Sequence, residues 1–168
     1  MIESKRLLVI ADDLVSRSGR GPPPQTFLRR SVSTAYYALF HHIIAAAADA
    51  LVGRKHRRTP RYALIYRAFE HSRMRQVSEM LDVQQFGEKA RGALQMVRPS
   101  QDIRRVATAF VTLQKQRHWA DYDPQGNITA SDTRDLIEQA ELAIEALDRI
   151  PIDERRNLLV FMMTSARP

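Results

Sequence analysis

The sequence predicts an all-α fold, and three observations predict it. Apolar residues recur at three- and four-residue spacing through most of the 168 residues, and no segment alternates apolar and polar as a half-buried strand does. The interruptions fall at clusters of glycine and proline. The expected architecture is a bundle of four or five main helices, up-down and antiparallel at its core, with short helices added. A single domain over residues 1–168 accounts for the length, which suffices to bury a substantial core.

Leu7, Ala11, Leu14 and Val15 place a first helix over 2–17. "GRGPPPQ" (19–25) ends it, because glycine loosens the backbone and the prolines cannot continue a helix. A long helix follows from Thr26 to Leu51, and "GRKHRRTP" is a basic loop closing at Pro60. From Arg61 to Leu81, the residues Leu64, Ile65, Ala68, Phe69, Met74, Val77 and Leu81 predict a second long helix. The two glycines of "DVQQFGEKARGALQMVRP" weaken helix there, so this stretch reads as a short helix and loop. Pro99-Ser100 caps a helix running to Tyr122, and "DPQGN" turns the chain. Thr129 opens the next helix with a weak capping box to Asp132, and Leu136, Ala140, Ala143, Ile144 and Leu147 form its apolar stripe. Pro151 admits a last short helix, "IDERRNLLVFMM".

With no cysteine, the chain offers neither a disulfide framework nor a thiolate metal site. It has no long uncharged apolar span, and "MIESKRLLVIADDLV" lacks the pattern of a secretory signal, so a cytoplasmic protein without membrane association is expected. Lys and Arg number 26 against 19 acids, a net charge of +7. Up to Ala120 there are 21 basic and 9 acidic residues (+12); after it, 5 and 10 (−5). The halves could pair with each other, or leave a positive face for a polyanion. Only Lys5, Lys55, Lys89 and Lys115 are lysines. The arginine bias suits bidentate phosphate binding, and GC-rich coding produces the same excess.

Two segments could carry chemistry. In "STAYYALFHH" (33–42), Tyr36, Phe40, Ile43 and Ala47 share one helix face and read as core. Arg30, Thr34, Tyr37 and His41 form a second, polar and aromatic stripe beside it. Such a stripe either lines a site or is a boundary whose polar tips are tied off. In the helix 100–122, the core stripe Ile103, Val106, Ala107, Phe110, Leu113 continues into Gln114, Arg117 and Asp121. Charges on a core stripe need a partner: either Arg117 and Asp121 fasten the helix end, or they face a ligand.

"RRSVSTAYYALFHHII" (29–44) together with "QRHWADYDP" (116–124) resembles the HEPN domains, in particular stand-alone prokaryotic members with a tyrosine-rich "A-Y-Y-A-x-F-H" helix and an "R-x-x-A-D-Y" helix end. The resemblance is strongest over residues 25–149. It implies a four- or five-helix bundle, often homodimeric, that handles RNA or nucleotide phosphate, frequently beside a small nucleotidyltransferase in toxin–antitoxin or defence pairs. Many HEPN domains are metal-independent endoribonucleases with an arginine and a histidine spaced R-x(4–6)-H. Here no arginine stands at that distance before His41, His42, His56, His71 or His118, and position 122 holds Tyr122. Arg117 matches the motif arginine, while Tyr37, Phe40 and His41 match the opposing helix.

Metal-free RNA cleavage needs a base at the 2′-hydroxyl, a cation for the phosphorane charge and an acid for the leaving oxygen. Arg117 is the candidate cation, His41 or His118 the acid or base, and Asp121 the group that orients the arginine. Arg30, Tyr37 and Tyr122 are candidate phosphate or RNA contacts, as are Arg54, Lys55, Arg57 and Arg58 of the basic loop, which otherwise is solvated. No cofactor and no metal are expected: Glu70 and His71 are adjacent rather than in the Glu-x-x-His spacing of bundle metal sites. The competing reading is a non-catalytic bundle that dimerises and docks a partner protein.

Overall fold

A computed structural model describes residues 3–17, 21–82 and 87–164. Among them every regular element is helical: α1 (Ser4–Ser16), α2 (Gln25–Leu51), a short 3-10 turn (Arg54–His56), α3 (Pro60–Arg67), α4 (His71–Asp82), α5 (Glu88–Leu94), α6 (Gln101–Tyr122), α7 (Ala130–Arg149) and α8 (Ile152–Thr164). Among the described residues, no helix is long and apolar enough to cross a membrane. Ile2, residues 18–20 of the first break and residues 83–86 of the ambiguous stretch lie outside the described residues.

The long helix α2 is the centre of the bundle and packs against α1, α3, α6, α7 and α8. Its core stripe is as the wheel requires: Tyr36 and Ile43 are buried with Phe40 and Ala47. The facing stripe of α6, Ile103, Val106, Ala107, Phe110 and Leu113, is wholly buried. Losing a side chain such as Phe110 from this seam would cost about 3–5 kcal/mol. Gly53 ends α2 in a left-handed conformation (φ 97°) that a side chain would strain. The caps read from the sequence are formed: Ser100 accepts from Ile103 N–H at 3.3 Å, and Thr129 accepts from Asp132 N–H at 3.0 Å.

One expected element divides. The helix over 61–81 is two helices, α3 and α4, separated by residues 68–70. Thr59 caps α3, accepting from Tyr62 N–H. The reason for the division is that the two halves face different neighbours. Tyr62 of α3 is buried against α2, its hydroxyl donating to Asp49 Oδ1 at 3.0 Å, whereas α4 packs on α6 and α8. A straight helix cannot aim both stripes correctly, and the break also buries Phe69. Neither proline nor glycine marks it.

Side chains from α2 fasten the C-terminal end of α6. Arg29 donates to the carbonyl of Asp123 just past the helix and to that of Trp119, which also accepts from Asp123 N–H, and its guanidinium lies 5.4 Å from the Trp119 ring centre. Gln25 donates to Ile128 C=O at 2.8 Å and accepts from Ile128 N–H at 3.0 Å, pairing with the turn as a strand would. Within the turn, Asp123 Oδ1 accepts from the N–H groups of Gln125 and Gly126. At the opposite side of α2, His42 links Ser4 of α1 (3.0 Å) to Asp148 of α7 (3.0 Å).

Gly126 lies flat against the indole of Trp119, and a Cβ placed there would overlap the ring. Because Arg29 packs on the same indole, the ring has little room to yield. Gly126→Ala is therefore expected to destabilise the fold by about 1–3 kcal/mol. Urea unfolding followed by the emission of Trp119, the single tryptophan, measures both the loss and the altered ring environment.

Candidate phosphate-binding site

The seam between α2 and α6 ends in polar groups. Arg117 Nη2 donates to the Tyr37 hydroxyl at 3.2 Å, and Arg117 Nε lies 2.7 Å from Asp121 Oδ2 in an ion pair whose N–H does not point at the carboxylate. Ser33 of α2 donates to the other carboxylate oxygen, Asp121 Oδ1, at 2.5 Å. The guanidinium carbon is 5.6 Å from the centre of the Tyr37 ring and 5.7 Å from that of Tyr122, within the range of cation–π attraction. The side chain of Arg117 stays 26% exposed, so it is held in place yet accessible. A half-exposed i, i+4 pair of this kind contributes only about 0.3–0.5 kcal/mol; its consequence is orientation rather than stability.

Histidines surround this cation. The His41 ring stacks on Tyr37 with 6.1 Å between centres, and its Nδ1 is 2.8 Å from the Tyr66 hydroxyl of α3. His118 tilts against Tyr122 at 4.8 Å. His71, the first residue of α4, stacks on Phe40 at 4.1 Å, meets the Tyr37 ring edge-on at 6.5 Å and is hydrogen-bonded through Nδ1 to the Tyr36 hydroxyl. Gln114 of α6 donates to the His71 carbonyl at 3.1 Å, which ties the start of α4 to the helix carrying Arg117.

Burial drives each of these groups toward its uncharged form. Desolvation lowers the pKa of His71 below its ordinary value, and the Arg117 charge lowers it further. His41 is lowered by desolvation and then by His71. Burial pushes the Tyr36 phenol far up, against a smaller opposite pull from Arg117, so Tyr36 keeps its proton. At neutral pH the cluster thus holds the permanent cation of Arg117, neutral imidazoles at positions 41 and 71, and a Tyr36 phenol that keeps its proton.

The structure brings together Arg117, Asp121, Tyr122, Tyr37 and His41, with His118 at the rim beside Tyr122. Arg30 is exposed on α2 one turn before Thr34, which bonds back to the Arg30 carbonyl; the neighbouring Arg29 is the arginine that reaches α6. In the basic loop, Asp49 takes both Arg57 (2.9 and 2.5 Å) and Arg54 (3.3 Å), while Lys55 and Arg58 are exposed. Burial opposes ionisation of Asp49, but hydrogen bonds from Arg57 and Tyr62 prevail and hold its carboxyl below the usual range. His41, Arg54 and Arg57 line a common groove with Lys5 and Arg155.

Sequence reasoning missed His71, Tyr66 and Ser33. A phenol in the middle of a core stripe needs a hydrogen-bond partner, and Tyr36 signalled one without naming it. Among the described residues, no group of three or more His, Asp or Glu side chains is gathered so as to hold a metal ion. Comparison of the chain with protein-family models, with curated proteins and with solved structures finds no match.

The lowered histidines make stability depend on pH. Between the ordinary histidine value of about 6.5 and the lower folded values, the unfolded chain binds more protons than the folded one. The stability present above about pH 6.5 is therefore lost as pH falls through the folded values. Urea midpoints measured from about pH 7.5 down to 5 should decline, and a His41→Gln/His71→Gln double variant should decline distinctly less over the same window.

Proposed function

We propose that this chain is a HEPN-like protein that binds the phosphate of RNA or of a nucleotide at the Arg117 pocket, working as a homodimer beside a partner such as a small nucleotidyltransferase in a toxin–antitoxin or defence pair. The observation that carries the reading is the guanidinium of Arg117: anchored by Asp121 and Tyr37, flanked by two phenol rings, and still accessible at the end of a buried seam. Its Nη1 has no hydrogen-bond partner among the described residues. A planar donor fixed in this way recognises phosphate oxygens in a defined direction.

Charge distribution supports the same reading. Among the described residues, the ion pairs joining the basic part of the chain to the acidic part are Arg117–Asp121, His42–Asp148 and Arg149–Asp102. These leave most of the basic excess before Ala120 without acidic partners from the C-terminal part, as a polyanion-binding protein requires.

The chemistry open to the pocket is metal-independent transesterification of RNA. His41 takes the 2′-hydroxyl proton, the 2′-oxygen forms a bond to phosphorus as Arg117 stabilises the added negative charge, and the P–O5′ bond breaks with a proton passing from His118 to the leaving oxygen. The products are a 2′,3′-cyclic phosphate and a 5′-hydroxyl. The second reading, a non-catalytic docking module, has its own observation: Asp121, held by Ser33, neutralises much of the charge that Arg117 would bring to catalysis.

Binding of a short oligouridylate, followed by calorimetry, should weaken by about tenfold or more in Arg117→Ala, the loss of one charge-assisted contact. Replacing the exposed Lys55 and Arg58 by alanine should make the plot of log affinity against log salt shallower by about two, if both meet phosphate. RNA cleavage by the purified protein in the presence of a chelator should vanish in Arg117→Ala and in His41→Ala. Undiminished cleavage in both removes the catalytic reading; binding without cleavage in the unmodified protein favours the docking module.

A further inference from the structure

We propose that His71 is a second phosphate-binding residue of the Arg117 pocket, presenting a neutral Nε2–H donor in a tautomer imposed by the buried hydroxyl of Tyr36. The inference rests on the phosphate reading of the pocket and adds to it a residue that lies outside both sequence motifs.

The argument starts from Tyr36. Its side chain is 1% exposed, and a buried O–H that finds no acceptor is costly. Among the described residues the hydroxyl has one hydrogen-bond partner, His71 Nδ1. A neutral imidazole has one protonated and one bare nitrogen, so two arrangements are open. If Nδ1 carried the hydrogen, it would donate to the phenol oxygen and leave the phenol proton without an acceptor in a dry environment. If Nδ1 is bare, it accepts that proton, and the ring hydrogen sits on Nε2. Only the second arrangement satisfies both groups.

The ring is also fixed in space. Stacking on Phe40 with 21° between planes sets its tilt, and the Gln114 bond to the His71 carbonyl sets its backbone. With Nδ1 turned inward to Tyr36, Nε2 lies on the opposite side of the five-membered ring, away from the core, and residue 71 is exposed. Tyr37 connects the two halves of the pocket: its hydroxyl takes the Arg117 hydrogen bond while its ring meets the edge of His71. Phosphate, with several acceptor oxygens, suits a fixed guanidinium and a neutral N–H donor that share one tyrosine as neighbour. An imidazolium there would lose solvation on the face packed against Phe40 and would be repelled by Arg117, in keeping with the lowered pKa of His71. His71 is thereby a binding group with its one basic nitrogen already occupied, and it takes no part as a general base.

Long-range proton–nitrogen spectra of the uniformly labelled protein at about pH 7 report the tautomer without any ligand. The expected result is a protonated Nε2 with a bare Nδ1 in the unmodified protein, and loss of that preference in Tyr36→Phe. A charged ring, or a proton on Nδ1, overturns the proposal. Binding of a short oligouridylate should weaken about tenfold in His71→Ala, the expected effect of removing one hydrogen bond to a charged group. His71→Gln, whose amide N–H reaches the place of Nε2–H, should recover most of that loss. Wild-type affinity in His71→Ala together with a loss in Arg117→Ala overturns the role of His71 and leaves the Arg117 reading standing. Undiminished affinity in Arg117→Ala removes the phosphate reading and this proposal with it.

Discussion

The hydroxyl of Tyr36 imposes the constraint on which the pocket is built. Tyr36 occupies the middle of the α2 core stripe, against Phe40 and Phe110, where a leucine would pack without obligation. A phenol there adds apolar area but brings a polar tip into a region without water, and that tip must be bonded. His71 supplies the partner, and to do so it must stand at the start of a helix that turns away from α3. The break at 68–70, which lets α3 and α4 face different neighbours, puts His71 in that place, with Phe69 buried beside it and the His71 ring stacked on Phe40. One hydroxyl thus joins the core stripe of α2 to the first residue of α4.

The Arg117 side of the pocket is organised by the end of α6. Arg29 and Gln25 from the first turns of α2 bond to the carbonyls and amide of the segment after Trp119, and Ser33 bonds to Asp121. None of these contacts is strong alone, since each exchanges hydrogen bonds with water for hydrogen bonds within the protein. Together they fix the helix end that carries Arg117, whose own contacts are with Tyr37 and Asp121; a side chain placed in this way would spare a ligand part of the entropy of ordering it. Cation–π contact with Tyr37 and Tyr122 serves the same end without consuming the hydrogen-bonding edges of the guanidinium.

The electrostatic design separates a permanent charge from neutral donors. Burial drives His41 and His71 toward the uncharged state, with His71 adding to the effect on His41 and Arg117 adding to the effect on His71, so the cluster gains polar groups without accumulating repulsion. The basic loop follows a different rule. Asp49 gathers Arg54 and Arg57 on the protein surface, leaving the screened charges of Lys55 and Arg58 to the solvent. A ligand reaching the loop would meet weak, salt-sensitive attraction; one reaching Arg117 would meet directed donors.

Local rules in the sequence determined the all-helical class, the extents of α2, α6 and α7, the caps at Ser100 and Thr129, and the seam that runs from Ile103 through Phe110 into Arg117 and Asp121. Those features depend on residues three or four positions apart, whose relation is set by helix geometry alone. The stripe holding Tyr37 and His41 was legible for the same reason. What only the tertiary structure decided is which elements meet: the division of the 61–81 segment, the pairing of Tyr36 with His71 across 35 positions and the reach of Ser33 to Asp121. No local signal marks residues 68–70, because the chain turns there to satisfy partners on α2, α6 and α8 rather than to obey a proline or a glycine. Hydrogen bonds between distant side chains are fixed by packing, and packing is a property of the assembled bundle.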